Sequence, residues 1–354
     1  PCLPLLGDDR RLFTKSKPTM IPQSQADVIF ADWQDELSHA IKNPTVLMQM
    51  LGLENHLQTI DAESLKNFPL RVTQSYINKM HYGDASDPLL RQVFPLIDET
   101  IEVEGFSADP VGDHMAISSP GILHKYQGRA LLLTTGACAI HCRYCFRRHF
   151  PYSESNPLAS QWQQSVAALQ SDNSIREVIF SGGDPLALTD TKLAAMVEDL
   201  QKIPHIKRLR IHTRLPLVLP KRICNSLLNW ISSTSLRVVM VIHANHANEI
   251  DAETAETLSE LRNAGCELLN QAVLLRGVND DADSLIALSE RLSEVQVVPY
   301  YLHLLDKVKG ASHFDVDEQQ GIELIAAMRR ELPGYLVPRL VREQQGEASK
   351  TIIA

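Results

Sequence analysis

The spacing of hydrophobic and polar positions changes near residue 130. Upstream, apolar residues recur at helical intervals, as in WQDELSHAIKNPTVLMQMLGL, where Trp33, Leu37 and Ile41 fall on one helical face. Further on, the segment DASDPLLRQVFP has a polar turn that opens a short helix. Residues from about 25 to 100 are therefore predicted to be mainly helical.

Downstream of this region, short apolar runs alternate with amphipathic stretches. In TDTKLAAMVEDLQKIP, for example, Leu193, Met196 and Val197 share one helical face after a Thr189 cap. The alternation repeats roughly every 30 residues, the size of one βα unit. Six such units predict an α/β fold, an incomplete parallel (β/α)6 barrel. Its predicted strands are 130–134, 178–181, 209–213, 238–243, 268–274 and 295–301.

These patterns divide the chain into four parts. Residues 1–19 contain three prolines and mixed charges, precede Met20 and are expected to be a disordered tail. The N-terminal helical region is placed at 20–125 and the partial barrel at 126–332. Residues 333–354 form a separate C-terminal segment.

The composition is that of an ordinary globular protein. A chain of 354 residues, 44% hydrophobic and 22% charged, can bury one large core and a smaller appended unit. The net charge of −9 argues against nucleic-acid or anionic-membrane binding. No apolar run reaches the ~18 residues of a membrane helix, and the polar, basic N-terminal stretch is not expected to be a secretory signal. Six cysteines in so long a chain do not indicate a disulfide scaffold, so a cytoplasmic protein is expected.

Cys138, Cys142 and Cys145 carry the clearest chemical signal. They lie in TTGACAIHCRYCFRR with the spacing C-x3-C-x2-C, just after the first predicted strand. A fully ligated iron–sulfur cluster would need a fourth cysteine, whereas three thiolates leave one iron of a [4Fe–4S] cluster open. This spacing resembles that of radical S-adenosylmethionine (SAM) enzymes. The alternative is a structural zinc site in which His141 or His149 supplies the fourth ligand.

Polar residues follow each predicted strand, and the C-terminal ends of parallel barrel strands form the active-site face. Alone, SGGDPL is a common strand-to-helix turn, and the pair His243 and His246 is weak evidence for a second metal. Beside a radical SAM cysteine loop, however, the glycine backbone of SGGDPL is expected to approach the methionine amino group of SAM. The residues expected to contact SAM or another cofactor at this face are Ser181, Gly182, Gly183, Asp184, His243 and Gln271.

Several ungapped motifs in order resemble the lysine 2,3-aminomutases, a radical SAM family. They are CRYCFRRHF, SGGDPL, HANHANEI, LLNQAVLLRGVND and PYYLHLLDKVKGASHF, and the resemblance extends from about residue 30 to the last residues. It implies an isomerase that converts L-α-lysine to (R)-β-lysine with a [4Fe–4S] cluster, SAM and pyridoxal 5′-phosphate (PLP). A SAM-derived radical removes hydrogen from the lysine β-carbon, while PLP holds the migrating amino group.

The resemblance also assigns the PLP site. Lys350, in QQGEASKTIIA, matches the family's PLP lysine, although by itself a lysine at this place would be a solvated tail residue. Lys125, Tyr126 and Arg129 fall where the family contacts PLP and its phosphate. The forked donors of Arg129 suit a phosphate, and the alternative is an ordinary surface arginine.

Three further matches describe the substrate. Arg147 matches the arginine that binds the substrate carboxylate, and Asp306 matches one of two acids that hold the lysine ε-ammonium. Glu343 stands where the clostridial enzymes have the second acid, an aspartate, so the charge is kept on a side chain one methylene longer. Two acids opposite an arginine describe a pocket for a dibasic amino acid. If Glu343 is not part of this pocket, it is an exposed surface acid.

The motif GEASK and the short segment after Lys350 resemble the bacterial form that makes (R)-β-lysine for modification of translation elongation factor P. That resemblance implies functional coupling to a β-lysine–elongation factor P ligase. It also implies a reductant protein of the flavodoxin or ferredoxin type. Two alternatives stay open, a catabolic lysine 2,3-aminomutase and a non-catalytic metal-binding module, which would contain zinc rather than iron.

Overall fold

A large mixed sheet organises the chain. The computed structural model describes residues 19–20, 29–59, 65–66, 68–119, 121–152 and 161–354. Within these ranges the sheet has ten strands, and a separate ribbon pairs β1 (Thr19–Met20) with β2 (His81–Tyr82). The strands of the large sheet are β3 (Ile117–Ser119), β4 (Ile122–Tyr126), β5 (Arg129–Thr135), β6 (Glu177–Gly182), β7 (Arg208–Thr213), β8 (Arg237–Ile242), β9 (Glu267–Val273), β10 (Val298–His303), β11 (Arg339–Arg342) and β12 (Thr351–Ile352).

The order of these strands is that of an open barrel. Strands β5 to β11 are parallel neighbours in chain order, and β3, β4 and β12 add antiparallel edges. The register of β5 and β6, for example, runs from Arg129 opposite Glu177 to Thr135 opposite Gly182. In the described residues the edge strands β3 and β12 do not pair with each other, so the barrel is incomplete.

Helices alternate with the parallel strands, as expected for βα units. They are α1 (Trp33–Ser38), α2 (Pro44–Met50), α3 (Gln74–Ile77), α4 (Pro88–Arg91), α5 (Trp162–Ser171), α6 (Asp190–Gln201), α7 (Leu215–Val218), α8 (Asn225–Ser233), α9 (Ala252–Asn263), α10 (Ala282–Glu294) and α11 (Glu318–Glu331). Asp251, Asp281 and Asp317 begin α9, α10 and α11, because each carboxylate accepts a backbone N–H of the first turn. In the part of the chain that the structure describes, no helix has the length and apolar character required to cross a bilayer.

The predicted partial barrel is confirmed. All six expected strands are present, although the last one spans Val298–His303 rather than 295–301. The sequence reading missed β3, β4, β11 and β12. These strands are short and lie toward the sheet edges, so they carry little of the continuous apolar pattern that marks a buried parallel strand.

The N-terminal region is helical only in short stretches. Helix α1 ends at Ser38, and Ile41 instead forms an isolated antiparallel bridge with Val72. The expected helical face through Ile41 is therefore interrupted. The cause is local, because a residue before proline avoids the helical conformation, and Asn43 is extended and caps a new helix at Pro44. The predicted tail, apart from residue 19, lies outside the described residues.

This region shares one hydrophobic core with the barrel. Leu47, Leu51 and Tyr76 are buried in the same cluster as Leu217 and Leu258. A polar contact also crosses the boundary, because the buried Lys79 ammonium donates to Leu217 O at 2.7 Å, Glu249 O at 2.9 Å and Thr254 Oγ1 at 2.6 Å. Burial lowers the pKa of Lys79, while nearby Asp251 opposes that effect. The described residues between 29 and 119 thus pack against the barrel.

A buried acid joins the N-terminal region to the cysteine loop, and its loss should be costly. The Glu99 carboxylate accepts hydrogen bonds from Arg143 Nε and Arg148 Nη2, both at 2.7 Å. We expect Glu99→Gln to lower the free energy of unfolding by roughly 3–5 kcal/mol, because two buried guanidinium groups would lose their countercharge. Urea unfolding of the purified protein measures this change.

The matched control for Glu99 is an acid-to-amide change in an exposed ion pair. Glu267 pairs with Arg237, and both side chains are exposed. Glu267→Gln should change the unfolding free energy by no more than about 1 kcal/mol. If Glu99→Gln and Glu267→Gln change the free energy of unfolding by equally small amounts, the Glu99 pair has no structural role.

Candidate active site

A cavity of about 410 Å³ opens where the parallel strands end. Its walls include the last residues of β7, β9 and β10, which lie at one face of the barrel because parallel strands finish at the same edge. Every site residue expected from the sequence lines this cavity. They are Lys125, Tyr126, Arg129, Cys138, Cys142, Cys145, Arg147, Ser181, Gly182, Gly183, Asp184, His243, Gln271, Asp306, Glu343 and Lys350.

The cysteine loop follows β5 and presents its three thiols to the cavity. In the described residues, no group of three or more His, Cys, Asp or Glu side chains surrounds one metal-ion position. Ligands of a single zinc ion would have to lie about 2.0–2.3 Å from it. His141 Nδ1 contacts Pro69 O at 2.8 Å and His149 Nε2 contacts Lys309 O at 3.0 Å, so each imidazole has only its other nitrogen left for a metal. Thiols that bind separate irons of a cluster fit this arrangement better.

The electrostatics around the thiols also suit a cluster that is held by thiolates. Burial raises the pKa of Cys145 to about 11, so a metal is needed to hold it as a thiolate. At Cys142, Arg214 Nη1 donates to Sγ at 2.8 Å. The buried guanidinium is fixed by Glu249 Oε2 at 2.8 Å and Tyr76 Oη at 2.9 Å. Arg214 follows β7 at the barrel face. This position after a strand could have marked it as a site residue, but the sequence analysis gave it no role.

The two glycines of SGGDPL allow β6 to approach the cysteine loop. Gly183 N–H donates to Thr135 O at 2.7 Å, and Gly182 has a φ of +118°. A Cβ on Gly182 would lie 2.6 Å from Thr135 O, and one on Gly183 would lie 2.4 Å from Ala137 O. Glycine is therefore required at both positions, because any side chain would collide with backbone. Contact of this segment with SAM stays a prediction.

Asp184 is held within the protein. Its carboxylate accepts hydrogen bonds from Thr213 Oγ1 at 2.7 Å, Arg214 N at 2.7 Å and Leu186 N at 3.1 Å. Burial raises the pKa of Asp184 to about 6, and these donors oppose that shift. In this structure the side chain links the loop after β6 to the loop after β7, so its predicted cofactor contact stays untested.

Lys350 is not a solvated tail residue. It directly precedes β12, which pairs with β11, and Gly346 turns the intervening chain with a φ of +86°. Lys350 Nζ lies 2.6 Å from Glu343 Oε2, and Tyr126 Oη donates to Glu343 Oε1 at 2.6 Å. The β11–β12 hairpin therefore holds the Lys350 ammonium at the cavity wall.

Glu343 is not an exposed surface acid either. Its side chain is only 11% exposed, and it faces the cavity. Burial opposes ionisation, but the Lys350 ammonium and the hydrogen bond from Tyr126 together hold the pKa of Glu343 below its ordinary value. Glu343 is therefore an ionised carboxylate inside the cavity.

The environment of Arg147 contains an acid that the sequence reading missed. Arg147 Nε donates to Asp113 Oδ2 at 2.6 Å, and Arg147 Nη1 donates to Ser181 Oγ at 3.1 Å. Asp113 Oδ1 lies 2.6 Å from Lys125 Nζ. Asp113 belongs to an irregular segment before β3, where no periodic pattern or recognised motif marked it.

The other wall of the cavity suits an anionic, aromatic ligand. In the part of the chain described, Gln271 Oε1 and His303 Nε2 are buried without a hydrogen-bond partner. Burial lowers the pKa of His243 to about 4, so this imidazole is neutral near pH 7. The guanidinium of Arg129 lies 4.6 Å from the ring centre of Tyr126. Unpaired buried polar atoms in a cavity that Arg129 also lines fit a ligand with ring heteroatoms and a phosphate, as PLP has.

The chain is similar to proteins of known family. Residues 132–288 match the Radical SAM superfamily. An L-lysine 2,3-aminomutase of Escherichia coli (strain K12) is 45% identical over 90% of this chain and 94% of the relative. The enzyme of that name from Haemophilus influenzae is 44% identical, over 95% of this chain and 99% of the relative. The one from Clostridium subterminale is 32% identical, over 92% of this chain and 79% of the relative.

Proposed function

The chain belongs to the L-lysine 2,3-aminomutase family of radical SAM enzymes, and from this membership we propose that it converts L-α-lysine to (R)-β-lysine. The family uses a [4Fe–4S] cluster, SAM and PLP. The observation that carries the proposal is that one cavity is lined by three cysteine thiols, Lys350, Arg147 and the carboxylates of Asp306 and Glu343.

Each cofactor has suitable residues in that cavity. When bound, the reduced cluster with SAM supplies a carbon radical that can take a hydrogen atom, and PLP supplies a conjugated system through which an amino group can migrate. We assign Cys138, Cys142 and Cys145 to the cluster. Lys350 is assigned to PLP, with Arg129 at its phosphate. The residues assigned to further contacts with SAM or PLP are Lys125, Tyr126, Ser181, Gly182, Gly183, Asp184, His243 and Gln271.

The substrate residues bind and orient a dibasic amino acid. Arg147 would hold the α-carboxylate, and Asp306 with Glu343 would hold the ε-ammonium. The contact between Lys350 and Glu343 supports the second assignment, because Lys350 presents the same chemical group, a primary ammonium, to that carboxylate. Tyr126 fixes the longer glutamate side chain from its other oxygen. A guanidinium for the α-carboxylate together with carboxylates for the ε-ammonium would favour lysine over acidic or neutral amino acids.

The fate of the product is a finer proposal. We infer that the β-lysine is used to modify translation elongation factor P, through a separate β-lysine–elongation factor P ligase. In support, the chain is 45% and 44% identical to the Escherichia coli and Haemophilus influenzae relatives but 32% identical to the clostridial one. Deletion of the gene should lower the mass of elongation factor P by one lysyl modification. An unchanged mass would favour the catabolic alternative.

Anaerobic turnover tests the reaction itself. The purified protein is incubated with L-lysine, SAM, PLP and dithionite, which stands in for a flavodoxin- or ferredoxin-type reductant. We expect (R)-β-lysine, identified by chiral chromatography. A colourless, zinc-containing protein that forms no β-lysine would instead support the non-catalytic metal-binding alternative.

Removal of either acid at the ammonium end should weaken the use of lysine. A carboxylate that faces an ammonium in a buried pocket contributes on the order of 1.5–3 kcal/mol. Asp306→Asn and Glu343→Gln should therefore each lower kcat/KM for L-lysine at least tenfold, with cluster and PLP content unchanged. Glu343→Asp should also be harmful, because the shorter side chain cannot keep both the Tyr126 and Lys350 contacts.

The pH dependence of KM for lysine tests whether Asp306 binds the substrate or has only a structural role. Burial raises the pKa of Asp306 to about 6, although the Lys350 ammonium opposes this shift. Its carboxylate therefore gains a proton as the pH falls through 6, and KM for lysine should rise over the same interval. Asp306→Asn should remove that dependence. Glu347→Gln, an exposed acid on the same hairpin as Glu343, is the control and should leave turnover unchanged.

A further inference from the structure

Asp113 lies at the centre of a buried ionic network. Its side chain is 1% exposed and joins Arg147 Nε and Lys125 Nζ, each at 2.6 Å. The backbone of Asp113 is also fixed, because its N–H donates to Asp109 Oδ1 at 2.9 Å. Lys125 is anchored from a second side, since Nζ donates to Val111 O at 2.8 Å. Asp113 thus holds two cations in defined positions.

The charges of this network alternate across the cavity. Lys125 Nζ lies 3.5 Å from Glu343 Oε1, and Glu343 Oε2 lies 2.6 Å from Lys350 Nζ. The order is therefore Arg147, Asp113, Lys125, Glu343 and Lys350, with each charge next to one of opposite sign. The residue assigned to the substrate carboxylate begins this row, and the acid assigned to the ε-ammonium lies near its other end.

Asp113 also determines which donor Arg147 offers to a ligand. Hydrogen bonds to Asp113 and Ser181 use Nε and Nη1 of the guanidinium. Among the residues that the structure describes, Nη2 makes no hydrogen bond, and Arg147 lines the cavity. The plane of a guanidinium is rigid, so a bond at Nε fixes the direction of the remaining donor. Without the carboxylate, Arg147 and Lys125 would also repel each other in a buried site.

We propose that Asp113 is a positioning residue that aims Arg147 at the substrate carboxylate while it neutralises the charge shared with Lys125. This assignment rests on the proposed function, because it takes the substrate to be an amino acid held by Arg147. Asp113 acts through Arg147 and does not itself touch the substrate. Its loss should therefore affect the carboxylate end of the substrate selectively.

The test compares L-lysine with L-lysinamide, which lacks the carboxylate. Equilibrium dialysis uses protein loaded with cluster and PLP, without SAM or reductant, so no turnover occurs. The wild-type protein should bind L-lysine at least about tenfold more tightly than L-lysinamide, the size of one charge-assisted hydrogen bond. In Asp113→Asn the affinity for L-lysine should fall until the two ligands bind within about twofold of each other.

Two further variants test whether the loss of preference for L-lysine is specific to the Asp113 carboxylate. Asp113→Glu keeps the charge but moves the carboxylate by one methylene, so it should fold with normal cluster and PLP content and still reduce the preference for L-lysine. Asp98→Asn removes an exposed acid and should leave the preference unchanged. A preference of wild-type size in both Asp113 variants overturns the assignment. If the wild-type protein itself neither prefers nor turns over L-lysine, the proposed function fails and Asp113 loses this role with it.

Discussion

Replacement of Cys142 by alanine is expected to abolish the iron–sulfur absorption and the cleavage of SAM together. The three thiols that line the cavity are the cluster ligands in our proposal, and each binds a different iron, so two thiols should not retain the cluster. The substitution also removes the sulfur that Arg214 contacts. Cys138→Ala and Cys145→Ala should have the same result. Iron content, the visible spectrum and 5′-deoxyadenosine release, all measured without air, report the outcome.

Cys266→Ala is the control for the cluster ligands. Cys266 is a buried thiol in the hydrophobic core, away from the cavity walls, so this variant should keep its iron and cleave SAM normally. If the Cys142→Ala protein cleaves SAM at the wild-type rate, the assignment of the cysteine loop is wrong.

Lys350→Ala is expected to remove the absorbance of protein-bound PLP while the iron content stays unchanged. The two effects separate because Lys350 is held by the β11–β12 hairpin, whereas the cysteines lie on the loop after β5. Borohydride treatment of the wild-type protein, followed by peptide mapping, should place the pyridoxyl group on Lys350.

Lys307 and Lys309 are the two other lysines at which the pyridoxyl label is to be looked for. Both ammonium groups lie on the loop after β10, about half exposed, and pair with Asp315 and Glu102 respectively. Lys309→Ala should retain bound PLP. A pyridoxyl label on either residue would move the cofactor attachment to that loop and contradict the role of Lys350.

The sequence predicts the barrel well because some of its strands, such as β6 and β8, are buried on both faces. Such strands appear as continuous apolar runs with polar residues at their C-terminal ends, so the strand expected at 238–243 is found at Arg237–Ile242. The β11–β12 hairpin lacks this pattern, because its strands are short and their pairing is decided by tertiary contacts. In the N-terminal region, the helical spacing through Ile41 was overridden by Pro44 and by the bridge to Val72.

The residues of the candidate site also differ in whether they could be predicted from the sequence. The cysteine spacing is a local pattern, and Arg147, Asp306, Glu343 and Lys350 were found by family resemblance. Asp113 was not found, because its partner Arg147 is 34 residues away and an isolated aspartate in an irregular segment carries no signal. Pairing of that kind depends on how the folded chain brings distant charges together.

The buried ammonium of Lys79 bears on how ligands reach the cavity. It donates to two backbone carbonyls and one hydroxyl of the barrel, and separation of these groups would leave a charge and several acceptors unpaired. The N-terminal region behind Arg214 is thus a fixed wall, not a lid. SAM, PLP and the amino acid must therefore enter and leave through other parts of the cavity rim. The N-terminal region can stay in place throughout turnover.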